Sequence, residues 1–214
     1  MEDARITRIA DTYYVNYTAV SPLGIATGFV STTDFSTIKR HGIMFPPSNR
    51  DVTLLPEAVN GQYICYHRPM PGGIGGLHIW GATSPNLIHW GQHRLVLQSQ
   101  PSDWTAGRVG GGAPPVRTDR GWLSIYHAAN RQDRYCLGAF VTALDDPMTV
   151  IANSQQPIFE PEASYETNGF YSNVVFSCGV VQHDNTLWVY YGAADETIAL
   201  ATVGIDNLLD SLFK

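Results

Sequence analysis

The sequence predicts an all-β chain folded as a β-propeller of about four blades. Three observations predict it: a composition of strand formers and turn formers, a strand signal that recurs four times, and a constant order of elements around each recurrence. The 214 residues include 20 Gly, 13 Pro, 5 Trp, 11 Tyr and 8 Phe, a mix that favours short strands and many turns over helices. That length suits one domain, 1–214, with ample apolar content for a core.

The recurring strand reads DTYYVNYT, GQYICYHR, GWLSIYHA and TLWVYYGA. Each copy follows a turn-forming Asn, Asp or Gly and alternates large residues up to a tyrosine: Tyr17, Tyr66, Tyr126 and Tyr191. A second strand follows each, in IATGFVSTTDF, LHIWGATSPNL, YCLGAFVTALDD and IALATVGIDNL. An apolar strand precedes each, in RITRIA, VTLLPEAV, APPVRT and NVVFSCGVV. Units of this size, with three or four strands each, match propeller blades, at approximately 1–48, 49–104, 105–160 and 161–214. A sandwich of hairpins would also space strands and turns regularly. The repeated order of elements favours the propeller. Only NLLDSLF, near the C-terminus, reads as helical.

Composition also excludes function classes. A formal charge of −6 argues against nucleic acid as a partner, since such a binder shows a basic face. Any anion site must therefore be local. The absence of a long apolar run argues against a membrane span, and no basic-then-apolar leader is present. Cys65, Cys136 and Cys178 form an odd set within apolar stretches, read as buried free thiols of a reducing, cytoplasmic protein. No His or Cys spacing suggests a metal, and no GxSxG elbow suggests a serine hydrolase.

In a propeller the inner strands converge on a central funnel, so polar residues at strand ends are the candidates for chemistry. The second unit offers Asn49, Arg50 and Asp51 before its strand and His67 and Arg68 after Tyr66; the third offers Arg108, Tyr126 and His127; the fourth offers Asp195. Glu2, Asp3 and Arg5 form a charged cluster at the very start. Arginine presents a planar fork of donors and stays charged at any working pH, which suits phosphate or carboxylate. Three arginines at strand ends of an acidic chain therefore point to a bound anion. The glycine runs PGGIGGLHIW and GRVGGGAPP lack the lysine and following helix of a P-loop, and read as close backbone approach or hairpin turns. Trp80, Trp104, Tyr165 and Phe170 suit either sugar stacking or the core, and His183 reads as a solvated turn residue.

These motifs resemble glycoside hydrolase family 130, the β-mannoside phosphorylases, along the whole chain. EDARIT is similar to the family's Glu-Asp-Pro-Arg element; NRD…LLPE, YHRP, GRVGGGAPPVRT..GWLSIYHA, YE..GF…VVFSCG and YYGAAD follow in the family's order. The resemblance implies a five-bladed propeller. It implies Asp3 as proton donor, acting through a mannose hydroxyl, and Arg50, Arg68, Arg108 and His127 as the phosphate-binding set. Asp195 matches a sugar-binding carboxylate, and Arg5, Asp51, His67 and Tyr126 join it as expected substrate contacts. Ala4 departs from the family's proline, which loosens the backbone beside the acid.

The implied reaction is inverting phosphorolysis, in which β-mannoside plus phosphate gives α-mannose 1-phosphate and a free sugar. Inorganic phosphate is the co-substrate, with no further cofactor. Overall similarity favours mannosyl-glucose, a β-1,4 linkage, over mannosyl-mannose or mannosyl-N-acetylglucosamine. Hydrolysis on the same scaffold and an inert sugar-binding propeller are the alternatives. Four units against the family's five lead to the expectation of an absent N-terminal blade, weak catalysis by this chain alone, and self-association through open edges.

Overall fold

The computed structural model describes residues 1–101 and 104–214. Its strands form four antiparallel sheets in chain order, each one a propeller blade. The first holds β1 (Glu2–Ile9), β2 (Thr12–Ser21), β3 (Gly24–Thr32) and β4 (Lys39–Phe45). The second holds β5 (Asn49–Leu54), β6 (Tyr63–Pro69), β7 (Ile79–Ser84) and β8 (Gly91–Leu97). The third holds β9 (Arg108–Gly111), β10 (Val116–Thr118), β11 (Gly121–Ala129), β12 (Tyr135–Thr142) and β13 (Val150–Asn153). Helix α1 (Ser164–Thr167) then leads into β14 (Val175–His183), β15 (Thr186–Ala193) and β16 (Thr197–Gly204), and α2 (Ile205–Leu212) closes the chain.

The tyrosine strands are β2, β6, β11 and β15, the second strand of every blade. Their register explains the repeat: Tyr17 faces Gly28, Tyr66 faces Gly81 and Tyr126 faces Gly138 across the ladder. A Cβ at Gly28 would sit 2.4 Å from the Tyr17 ring, and one at Gly138 would sit 2.5 Å from that of Tyr126. In the first and third blades the tyrosine ring is thus laid over a residue without a side chain; in the second Met148 covers Gly81, and in the fourth Tyr191 faces Ala199.

Outer strands β4, β8 and β13 were not expected. KRHGIMF, GQHRLVL and VIAN lack clean alternation because much of their length faces solvent. The inner strand of the third blade is split into β9 and β10, both paired to β11. Pro114 and Pro115 fall in the break, where residues without an N–H cannot extend the ladder.

Successive blades pack face to face. Phe29, Met44, Phe45, Val52, Leu54 and Cys65 fill the seam between the first two blades. Ile64, Tyr66, Val109, Trp122, Tyr126 and Phe140 fill the next, and Leu123, Ile125, Leu137, Val189 and Tyr191 the third. β11 is buried along its whole length because alternate residues enter two different seams. Helix α2 buries Ile205, Leu208, Leu209 and Leu212, an i, i+3, i+4, i+7 stripe, against the third seam. The opposite faces of the first and fourth blades leave Ile6 and Ile43, and Trp188, Tyr190, Ile198 and Leu200, exposed. Cys65 and Cys136 are buried free thiols, and Cys178 is partly buried. Among the described residues, no helix is long and apolar enough to cross a membrane.

Candidate active site

The ends of the inner strands border a cavity of about 690 Å³. Two β-bulges shape it. The β1–β2 register shifts between Glu2 and Arg5, and the β5–β6 register shifts between Arg50 and Thr53. At each bulge an aspartate takes left-handed backbone, Asp3 at φ 53° and Asp51 at φ 56°. Aspartate tolerates that region better than most residues, and a bulge re-aims a side chain out of the pleat. Both carboxylates thereby enter the cavity wall.

Asp51 organises the cations. Its Oδ2 lies 2.8 Å from Arg68 Nη1 and 3.2 Å from His127 Nε2, and its Oδ1 lies 3.4 Å from Arg5 Nη2. Burial alone would raise its carboxyl, but Arg68, His127 and Arg5 hold it well below the usual carboxylate range. Burial pulls the His127 imidazole below its ordinary value, with Asp51 opposing. The His127 ring packs 4.3 Å from that of Phe176.

Among the described residues, each of the three arginines has one acidic partner. Arg68 pairs with Asp51; Arg50 Nη2 lies 3.9 Å from Glu2 Oε2; Arg108 Nη2 donates to Asp133 while its Nη1 donates to Tyr135 Oη at 2.7 Å. The Nε of Arg50, Arg68 and Arg108 is buried with no hydrogen-bond partner among the described residues. Buried donors normally find partners, and all three arginines border one cavity, where guanidinium forks suit an acceptor-rich anion. Asp3 differs from Asp51: burial raises its carboxyl, only partly offset by Arg5 and reinforced by Asp51.

The structure brings Asp3, Arg50, Asp51, Arg68, Arg108, His127 and Asp195 to this one cavity. It places three expected substrate contacts outside the lining. Arg5 is 1 % exposed, and its donors go to Gly112 O (3.1 Å), Asp3 O (2.8 Å) and Gly111 O (2.9 Å) as well as Asp51. It braces β1 against the glycine run instead of facing a ligand. His67 is buried between Asn49 Nδ2 at 2.9 Å and His93 Nδ1 at 3.0 Å, stacked on Phe45; burial, with His93 adding, pushes it down to about 3. Tyr126 lies in the second seam against Trp104 and Phe140. Strand alternation turns His67 and Tyr126, each beside a lining residue, the opposite way from Arg68 and His127.

The glycine run earns its place by proximity. A Cβ on Gly110 would stand 2.4 Å from Asp51 Oδ2 and 2.5 Å from His127 Nε2. Of the aromatics left open by the sequence, exposed Phe170 borders the cavity; Trp104 packs in the core, and Tyr165 touches Tyr191. Sequence reasoning missed Asp133, Tyr135, Tyr171 and Phe176. Asp133 sits in a polar turn, NRQDR, that looks like any solvated hairpin. A separate cavity of about 560 Å³ borders α1, but its buried Glu166 already accepts from Tyr191 Oη at 2.7 Å and from two backbone N–H groups at 2.8 Å.

Fold and cavity together define a β-propeller whose axial end gathers cations around a buried acid. Residues 1–214 match the model of glycoside hydrolase family 130, described as beta-1,4-mannooligosaccharide phosphorylase, and the chain belongs to that family. It is 46 % identical over 212 residues to the beta-1,2-mannobiose phosphorylase of Listeria innocua, covering 99 % of this chain and 60 % of the relative. The solved complex of the Listeria innocua enzyme with beta-1,2-mannobiose superposes with a TM-score of 0.97, over 99 % of this chain and 60 % of that one. A 1,2-beta-oligomannan phosphorylase of Thermoanaerobacter sp. is 38 % identical, covering 97 % of this chain and 69 % of the relative. The 4-O-beta-D-mannosyl-D-glucose phosphorylase of Bacteroides fragilis is 33 % identical over 75 % of this chain and 43 % of its own length. The chain thus spans about three fifths of the length of the Listeria relative.

Proposed function

We propose that this chain carries the phosphate site and the acid of an inverting β-mannoside phosphorylase. One observation carries the reading: three arginines with buried, unpartnered Nε groups border one cavity beside a carboxyl that burial raises. A glycosidase that uses water needs a second carboxylate as base. Phosphate arrives already anionic and needs cations to hold it in line, so Arg50, Arg68, Arg108 and His127 supply positioning and charge stabilisation. A phosphate oxygen forms the new bond to the anomeric carbon while the glycosidic C–O bond breaks. The proton that originates on Asp3 ends on the leaving oxygen, and the products are α-mannose 1-phosphate and the freed sugar. Asp195, Phe170 and Tyr171, which also line the cavity, are the proposed sugar contacts.

The relatives named for β-1,2 linkages are 46 % and 38 % identical, and the one named for mannosyl-glucose is 33 % identical over a shorter stretch. This supports β-1,2-mannobiose or short β-1,2-mannan as substrate in place of the expected mannosyl-glucose. The test incubates β-1,2-mannobiose and 4-O-β-mannosyl-glucose separately with the protein, with and without phosphate. Mannose 1-phosphate formed from the β-1,2 substrate only when phosphate is present is the expected result. Free mannose released equally in both conditions would mean hydrolysis, and sugar binding without any turnover would mean an inert propeller.

A further inference from the structure

Arg108 is held differently from the other two arginines. Among the described residues, its side-chain hydrogen bonds and ring contact all come from the tip of one hairpin, β11–β12. Its Nη2 donates to Asp133, its Nη1 donates to Tyr135 Oη at 2.7 Å, and its guanidinium lies 5.4 Å over the Tyr135 ring. The tip itself is a built loop. Asn130 Oδ1 accepts from Gln132 N at 2.9 Å and Arg134 N at 3.0 Å, and Asp133 N donates to Asn130 O at 3.2 Å. Arg134 is pinned by Glu160 and by Pro161 O, and Tyr135 N donates to Asn173 O at 3.0 Å. Within this frame Asp133 takes left-handed backbone, φ 57°, a region that aspartate tolerates.

We infer that Asp133 is a positioning residue for phosphate, holding one amino group of Arg108 so that the guanidinium's remaining donors stay on the cavity. This rests on the phosphate site proposed above. The Asp133 side chain is 64 % exposed, so its carboxylate is no part of the core, and its partner is the cation that borders the cavity. Arginine has a long, rotatable stem, and without an anchor its fork spends its time among many rotamers. Asp133 does for Arg108, from solvent, what buried Asp51 does for Arg68 from inside.

The test is calorimetric titration of inorganic phosphate into the wild-type chain, Asp133→Ala and Asp133→Asn, with mannobiose titrated as control. Asparagine keeps an oxygen that accepts from Nη2, whereas alanine frees Nη2 and leaves Arg108 held, among the described residues, by Tyr135 alone. Asp133→Ala should weaken phosphate binding about tenfold. Asp133→Asn should stay within about threefold of wild type, or bind tighter because a like charge has gone. Mannobiose affinity and melting temperature should hold in both. Three outcomes overturn the inference: unchanged or tighter phosphate binding by Asp133→Ala, equal losses in both variants, or a parallel loss of mannobiose binding, which would signal a collapsed loop. Wild-type protein that takes up no phosphate sinks the functional reading and this inference with it, whereas phosphate uptake indifferent to Asp133→Ala sinks this inference alone.

Discussion

Arg50 and Arg68 stand directly opposite each other across the β5–β6 ladder. Like charges in that relation destabilise a sheet, and both border the same cavity. Burial lowers the Arg68 guanidinium's hold on its proton, Asp51 opposes that, and Arg50 and Arg108 add to it. The pair makes sense as a site that awaits a negative charge. The two are unequally compensated: among the described residues Arg68 has Asp51 at 2.8 Å, whereas Arg50 has Glu2 at 3.9 Å.

Arg50→Ala should therefore separate binding from stability. Phosphate affinity falls at least tenfold with the loss of one charge-assisted contact. Folding stability changes by no more than about 0.5 kcal/mol, because Arg50 is a partly exposed residue with one loose ion pair. Titration with phosphate and thermal unfolding, run on the same sample, check both; a large loss of stability would mean that Arg50 is a structural cation.

Asp51→Asn should behave in the opposite way. It leaves Arg68 and Arg5 buried beside a neutral amide, and breaking a buried ion pair from one side costs on the order of 3–5 kcal/mol. Asp51 is depressed in the folded state by Arg68, His127 and Arg5 against the pull of burial. Its contribution is therefore present above the unfolded value near pH 4 and lost as pH falls below it. Wild type should lose stability in acid more steeply than Asp51→Asn, as measured by urea unfolding across that range.

Asp3→Asn should abolish turnover while phosphate still binds. In the proposed mechanism the working form of Asp3 is the protonated one, and burial raises its carboxyl, so kcat/KM should fall as pH rises through that raised value. The same shift means that ionising Asp3 costs the native state stability as pH rises through its folded value. At neutral pH Asp3→Asn should melt no lower than wild type. A variant that turns over normally would remove Asp3 from the mechanism.

Gly110→Ala tests whether the glycine run serves the site. Its new Cβ would press on Asp51 Oδ2 and His127 Nε2, and overpacking of this kind costs roughly 1–3 kcal/mol. Both the melting temperature and phosphate affinity should drop. Unaltered phosphate affinity would show that Asp51 and His127 can shift without consequence.

How far the site was legible in the sequence follows from alternation. Arg50, Arg68, Arg108 and His127 could be picked out because charged groups at the ends of apolar strands violate the core pattern, and the cavity gathers all four. Arg5 and His67 share that signature, Tyr126 adjoins His127, and all three lie outside the lining. A one-residue step along a strand reverses the face, and bulges at Asp3 and Asp51 shift the phase. Asp133 and Tyr135 left no trace of their role, because a hairpin tip acquires a partner only when another strand is laid beside it.

By itself the sequence determined the four blades, their tyrosine strands and the terminal helix, since each depends on local periodicity along a short stretch of chain. It also determined the family, through ordered motifs spread along the whole chain. Only the tertiary structure decided which charged side chains share a cavity, which acid is raised and which depressed, and which arginine is anchored from solvent. Those properties arise from burial and from distances between residues far apart in the chain, and neither exists until the blades pack.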